Sequence, residues 1–95
     1  MPYGRCVIYS FAGDEQEMID KAKAGMLPIF KAQPGFLAYG CIVQDGKIVS
    51  TSAWESQSDA EAADDAARQW VKDNIDATVL ERYVGEYAWL EFAQK

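Results

Sequence analysis

An α+β fold, one antiparallel four-stranded sheet with two helices on one face in the order βαββαβ, is predicted by three observations. Four segments rich in β-branched and aromatic residues alternate with two segments whose apolar residues recur at helical spacing. Turn and cap signals separate them at Ala12-Gly13-Asp14, Gln33-Pro34-Gly35, Asp45-Gly46 and Ser56-Gln57-Ser58. The chain has 95 residues, enough for one hydrophobic core and a single domain over 1–95.

The first strand is expected over 5–11, where Arg5-Cys6-Val7-Ile8-Tyr9-Ser10-Phe11 precedes a Gly-Asp break. Asp14 then supplies an N-cap oxygen with Glu17 three residues on, so a helix begins there. Its apolar stripe is Met18, Ile19, Ala22, Met26, Ile29 and Phe30; Pro28 removes an internal donor and kinks the last turns. A second strand follows over 36–43. Asp45-Gly46 suits a two-residue turn in which both residues need positive φ, and the return strand runs over 48–55. Ser58 with Glu61 reads as a second capping box opening a helix of about sixteen residues. That helix presents Ala63, Ala66, Ala67, Trp70 and Val71 to the core, and Asp59, Glu61, Asp64 and Asp65 to solvent. The last strand is expected over 83–92, with Tyr87 and Trp89 on one side and Ala88, Leu90 and Phe92 on the other. This order is the split βαβ, or ferredoxin-like, arrangement, in which strand 1 lies between strands 3 and 4.

Composition narrows the function. Apolar residues are 49% and charged residues 25% of the chain, as in ordered globular proteins. Nine Lys and Arg against fifteen Asp and Glu give a net charge of −6, which repels phosphate backbones and anionic lipid, so neither nucleic acid nor membrane is an expected partner. No long apolar run or cleavable leader is present, which points to the cytoplasm. Cys6 and Cys41 fall on strands that this topology does not pair and read as buried free thiols. The chain has no histidine, which removes the commonest nitrogen ligand for zinc, copper or haem iron and every His-based acid/base scheme; no metal site is assigned. Cysteine as a nucleophile lacks a base for the same reason.

The strands are apolar on both faces. Cys6 and Ile8 oppose Val7, Tyr9 and Phe11, while Phe36, Ala38 and Ile42 oppose Leu37, Tyr39, Cys41 and Val43. A monomer would expose a patch larger than soluble proteins tolerate, so a second copy packed sheet to sheet is expected.

Gln33-Pro34-Gly35-Phe36 before strand 2, and Trp54-Glu55-Ser56 followed by a helix with Ala60 and Ala62, resemble the antibiotic biosynthesis monooxygenase (ABM) domains of the dimeric α+β barrel superfamily. The likeness spans nearly the whole chain in element order. It implies a homodimeric barrel with a pocket between sheet and helices of each subunit, and an aromatic small-molecule ligand. It also implies oxidation of phenolic or polycyclic substrates by O₂ with no cofactor. Other members of the superfamily degrade haem, isomerise lactones or have no known activity, so a non-catalytic ligand-binding or structural dimer is the alternative. Many members carry a histidine early in helix 2 where this chain has Ala63. Haem-degrading members pair a strand-1 asparagine with a helix-2 histidine, and Tyr9-Ser10 and the His-free helix supply neither. A cofactor-free oxygenase survives those losses, because a phenolic substrate supplies the electrons and uncharged donors orient it and stabilise an oxyanion.

Trp70 and Asn74, one helical turn apart, with Tyr83, are the candidate catalytic donors; the plain alternative is a core Trp with a helix-end Asn. Tyr39, Tyr87 and Arg82 are the candidate substrate contacts. Tyrosines are also common at dimer interfaces, and Arg82 beside Glu81 also suits a surface ion pair. Trp54 reads as packing. Arg5 and Glu86 are charges in otherwise apolar strands and need partners.

Overall fold

A computed structural model describes residues 2–93; Met1, Gln94 and Lys95, the ends of the expected domain, lie outside the described residues. The elements are β1 (Tyr3–Phe11), α1 (Glu15–Ala32), β2 (Phe36–Gln44), β3 (Lys47–Trp54), α2 (Gln57–Asn74) and β4 (Ala77–Glu86). The sheet order is β2-β3-β1-β4 with every neighbouring pair antiparallel, so β1 lies between β3 and β4 as the ferredoxin-like arrangement requires. The βαββαβ order was legible in the sequence because each element carries its own periodicity and stop signal.

Helix α1 starts at Asp14, whose carboxylate accepts from Glu17 N–H at 2.8 Å, and is assigned without a break past Pro28 to Ala32. The β2–β3 turn has Asp45 at φ 51° and Gly46 at φ 75°, the pair of positive values a tight primed turn needs. Helix α2 is capped by Ser56 rather than Ser58. Ser56 follows β3 directly in extended backbone (φ −143°) and its Oγ accepts from Asp59 N–H at 3.2 Å, which lengthens the helix to 18 residues. Ser58 Oγ is left to bond the Ser56 hydroxyl at 3.1 Å.

The largest correction concerns the last strand, which occupies Ala77–Glu86 and not 83–92. Strand extent is set by the available partner: β4 pairs from Phe11↔Ala77 to Tyr3↔Glu86, and after Tyr87 N–H donates to Pro2 C=O at 2.9 Å no backbone of β1 remains. Thr78 and Val79 carry the β-branched signal, and a bulge between Ile8 and Tyr9 absorbs one extra residue of β4.

The core lies between the sheet and both helices. Trp54 and Phe30 are fully buried, their rings edge to face at 5.3 Å, and Phe36 and Tyr39 extend the aromatic stack from β2. Trp54 Nε1–H donates to Ser52 Oγ at 2.9 Å, satisfying the indole in the apolar interior. Ala60, Ala63 and Ala67 bring α2 close to this stack. A second cluster of Val7, Tyr9, Met18 and Ile48 fills the other end. The opposite face of the sheet carries Cys6, Ile8, Ile42, Val49 and Tyr83, with Ile42 61% and Tyr83 59% exposed. Both thiols are free, Cys6 half-buried and Cys41 exposed, so the expectation that both are buried fails at Cys41, on the edge strand.

Candidate functional site

Strand β2 is an edge, and α1 is the helix that packs on it. Where the small Ala22 faces Gly40 and Cys41, helix and strand do not close on each other, and a cleft of about 450 Å³ opens. Its walls are Ile19, Ala22 and Leu27 of α1 and Tyr39, Cys41, Val43 and Ile48 of the sheet, with exposed Glu15 and Lys23 at its margin. The cleft shares Ala22, Tyr39, Cys41 and Ile48 with an interior cavity of about 30 Å³. That cavity is bounded by Tyr9 and Ser50 of the sheet, Met26 and Phe30 of α1, and Trp70, Val71 and Ile75 of α2. A cleft of this size with mostly apolar walls has room for a small molecule.

The polar groups are fixed by neighbours. Cys41 Sγ donates to Tyr39 Oη at 3.4 Å. Burial, with Cys41 alongside, pushes the Tyr39 phenol well above its usual value, so it remains a neutral donor through the working pH range. Arg5, 2% exposed, donates from Nε to Asp64 Oδ1 at 2.7 Å and from Nη2 to Tyr9 Oη at 3.3 Å. Asp64, 1% exposed, accepts at its other oxygen from Arg82 Nε at 2.9 Å and from Arg82 Nη2; Arg68 Nε lies 3.4 Å away. Burial raises the cost of ionising Asp64, but the hydrogen bonds and charges of Arg82 and Arg5 outweigh it and hold the carboxyl below its usual range.

The sequence-predicted residues divide into four groups. Tyr39 lines both cleft and cavity, and Trp70 bounds the cavity with its indole packed against Gly25 of α1, where a side chain would overlap the ring. Asn74 is exposed and donates its amide N–H to the Trp70 carbonyl at 2.9 Å; it borders a separate depression near Gly13 and Asp76. Tyr83 pairs with Cys6 on the far face of the sheet, and the Tyr87 ring lies against Gly4 there. Arg82 is on the helix side, engaged by Asp64 and not by Glu81. Trp70 and Asn74 therefore do not converge on one ligand edge, and Tyr83 and Tyr87 are separated from both by the sheet.

Two residues of weight escaped the sequence reading. Asp64 was grouped with the solvated charges of α2, yet it falls in the buried series Ala60, Ala63, Asp64, Ala67, and that spacing was a usable signal. Tyr9 was counted with Val7 and Phe11 on one apolar face of the first strand without regard to its hydroxyl, whose partner Arg5 is four residues away on the same strand face.

No protein-family model and no curated protein matches the chain. Solved structures do. SnoaB from Streptomyces nogalater, described as a cofactor-independent oxygenase and solved as its N63A mutant, superposes with a TM-score of 0.74 at 14% identity, covering 94% of this chain and 95% of that one. A protein from Chloroflexus aurantiacus described as a putative antibiotic biosynthesis monooxygenase gives 0.69 at 15% identity, over 97% and 98% of the two chains. MupZ from Pseudomonas fluorescens gives 0.73 at 10% identity over 87% of this chain; the chain spans 66% of the length of MupZ. At such identities the likeness is one of architecture, and the chain has the fold of the antibiotic biosynthesis monooxygenase-like α+β domains.

Proposed function

We propose that the chain works as a cytoplasmic homodimer that takes an apolar, aromatic molecule into the α1–β2 cleft and oxygenates it with O₂, without metal or organic cofactor. The observation that carries this reading is the cleft itself, about 450 Å³, apolar at the walls and ending at Tyr39, Cys41 and the Trp70-bounded cavity. For a substrate with an activated ring CH₂, the substrate's C–H bonds supply all four electrons. One oxygen atom ends as a ring ketone and the other leaves as water. The protein then has three tasks: to orient the ring, to exclude solvent and to donate a hydrogen bond to the oxygen that gains charge. Tyr39 is the donor, and Trp70 closes the cavity beyond it.

Oxygen uptake with a panel of anthrones and hydroquinones tests the proposal. The full chain is expected to raise uptake above background, and Tyr39→Phe and Trp70→Phe each to lower the rate about tenfold, the loss of ~1.4 kcal/mol of transition-state stabilisation. Binding with unchanged background oxidation selects the second reading, a non-catalytic ligand carrier of the same fold. What favours that reading is that Asn74 donates to the Trp70 carbonyl and borders a separate depression, so it brings no donor to the cavity.

A further inference from the structure

Arg5 is the buried side chain whose bonding is incomplete. Its Nε and Nη2 have partners and its Cζ sits 5.7 Å from the Phe30 ring centroid, but Nη1 has none among the described residues. A guanidinium stays charged at any working pH, and burying it is tolerable only where charge and hydrogen bonds answer it. Asp64 does so in part, because the same carboxylate also serves Arg82. Arg5 and Arg82 hydrogen-bond this one carboxylate on the helix side of the sheet, and Arg68 Nε lies 3.4 Å from it, with Asp65 bound to Arg68.

Arg5 reaches the cavity through a hydroxyl. A guanidinium N–H only donates, so Tyr9 Oη accepts from Arg5, and its own proton is unspent. Cys41 has the same effect on Tyr39, whose hydroxyl accepts the thiol. Both tyrosines bound the interior cavity, with Ser50 of β3 beside them, and no carboxylate among the described residues lines it. The register brings these groups together: Tyr39 and Arg5 flank Ser52 from opposite sides in one cross-strand row, and Cys41 and Val7 flank Ser50 in the next. At about 30 Å³ the cavity has room for an oxygen substituent while the ring that bears it lies in the cleft.

We infer that Tyr9, Tyr39 and Ser50, with Arg5 behind Tyr9, form an oxyanion-selective end to the cleft, so that the ligand is held as an ionised phenol or enolate. The inference rests on the cleft being the ligand site and adds the ionisation state and orientation of its occupant. The charged and titratable groups around it are Arg5 on β1, Cys41 on β2, Arg82 on β4 and Asp64 on α2, backed on α2 by Arg68, Asp65 and Glu61, with Glu15 and Lys23 of α1 at the outer margin. Burial keeps Tyr39 protonated, so it donates to an anion and does not compete with it for charge.

4-Nitrophenol, whose phenolate absorbs in the visible, and its neutral ether 4-nitroanisole serve as probes against the full chain. Bound 4-nitrophenol is expected to ionise at least about one pH unit lower than free, a preference of about tenfold or more for phenolate over phenol. Nitroanisole should bind correspondingly more weakly than the phenolate. Tyr9→Phe and Tyr39→Phe preserve side-chain volume, and each should reduce the phenolate-to-ether affinity ratio several-fold. Equal affinity for phenolate and ether overturns the inference and leaves the cleft standing. An unchanged ratio in both Phe variants overturns its assignment to these hydroxyls. If neither probe binds at millimolar concentration, the ligand cleft falls and the inference with it.

Discussion

Asp64 is a charged side chain in a row of buried alanines, and its position is intelligible only through the two strands opposite. It accepts from Arg5 Nε–H on one oxygen and from the Nε–H and Nη2–H groups of Arg82 on the other, joining α2 to β1 and β4 at one point. Removing one member of such a group leaves the others buried without compensation, so Asp64→Asn is expected to cost about 3–5 kcal/mol of stability at pH 7, read by urea unfolding. The pH dependence has a definite sign. The folded carboxyl is held below its unfolded value, so its contribution is complete above the ordinary carboxylate range and is lost as pH falls through the lowered folded value. Acid titration of wild type and Asp64→Asn should therefore converge at low pH and diverge toward neutrality. A constant gap at every pH would assign the cost to packing and not to charge. The sequence marked Arg5 as a charge needing a partner, but which carboxylate answers it depends on how α2 is rotated over the sheet, and that is settled by the burial of Ala60, Ala63 and Ala67.

Helices α1 and α2 meet where Gly25 admits the Trp70 indole, and a methyl group at position 25 would overlap the ring. Gly25→Ala raises intrinsic helix propensity by about 1 kcal/mol, yet a net loss of about 1–3 kcal/mol is expected because the overlap forces Trp70 out of place. Stability by denaturant titration and Trp fluorescence test this together, and a stabilised variant with unchanged emission would show that the indole does not depend on the gap. At the start of α2, Ser56→Ala removes the side-chain acceptor for Asp59 N–H and should cost about 1 kcal/mol, whereas Ser58→Ala should cost only a few tenths. Measuring the two in parallel separates the observed cap from the one suggested by the Ser-x-x-Glu spacing. That spacing misled because a second serine lies two residues earlier; Ser56, nearer to β3, captures the helix soon after Trp54 ends the strand and leaves Ser58 inside the first turn.

The chain exposes 6104 Å², against about 5,500 Å² for a compact monomer of its size. The excess is apolar in character: Ile42 and Tyr83 stand on the outer sheet face, and Trp89 and Phe92, 80% and 64% exposed, extend beyond β4. A twofold partner packed on this face would cover them, and the scattering mass expected in solution is about 21 kDa, twice the 10.6 kDa chain. Ile42→Glu adds a like charge across such an interface and should shift the mass toward one chain. A wild-type mass of one chain would remove the dimer from the proposed function without touching the cleft, since every residue of the cleft belongs to α1 and the sheet of one subunit.

Fold class, element order, the Asp45-Gly46 turn and the cap at Asp14 were decided by the sequence alone, because each depends on residues within a few positions of one another. The end of β4, the cap of α2, the partner of Arg5 and the walls of the cleft were decided only by the tertiary structure. A strand stops where its neighbour's backbone stops, and a side chain faces a cavity or solvent according to which element is packed above it. Tyr39 and Tyr83 are equally plausible hydrogen-bond donors in the sequence; the sheet that separates them, with its β1–β4 register, leaves one at the cleft and the other on the opposite face.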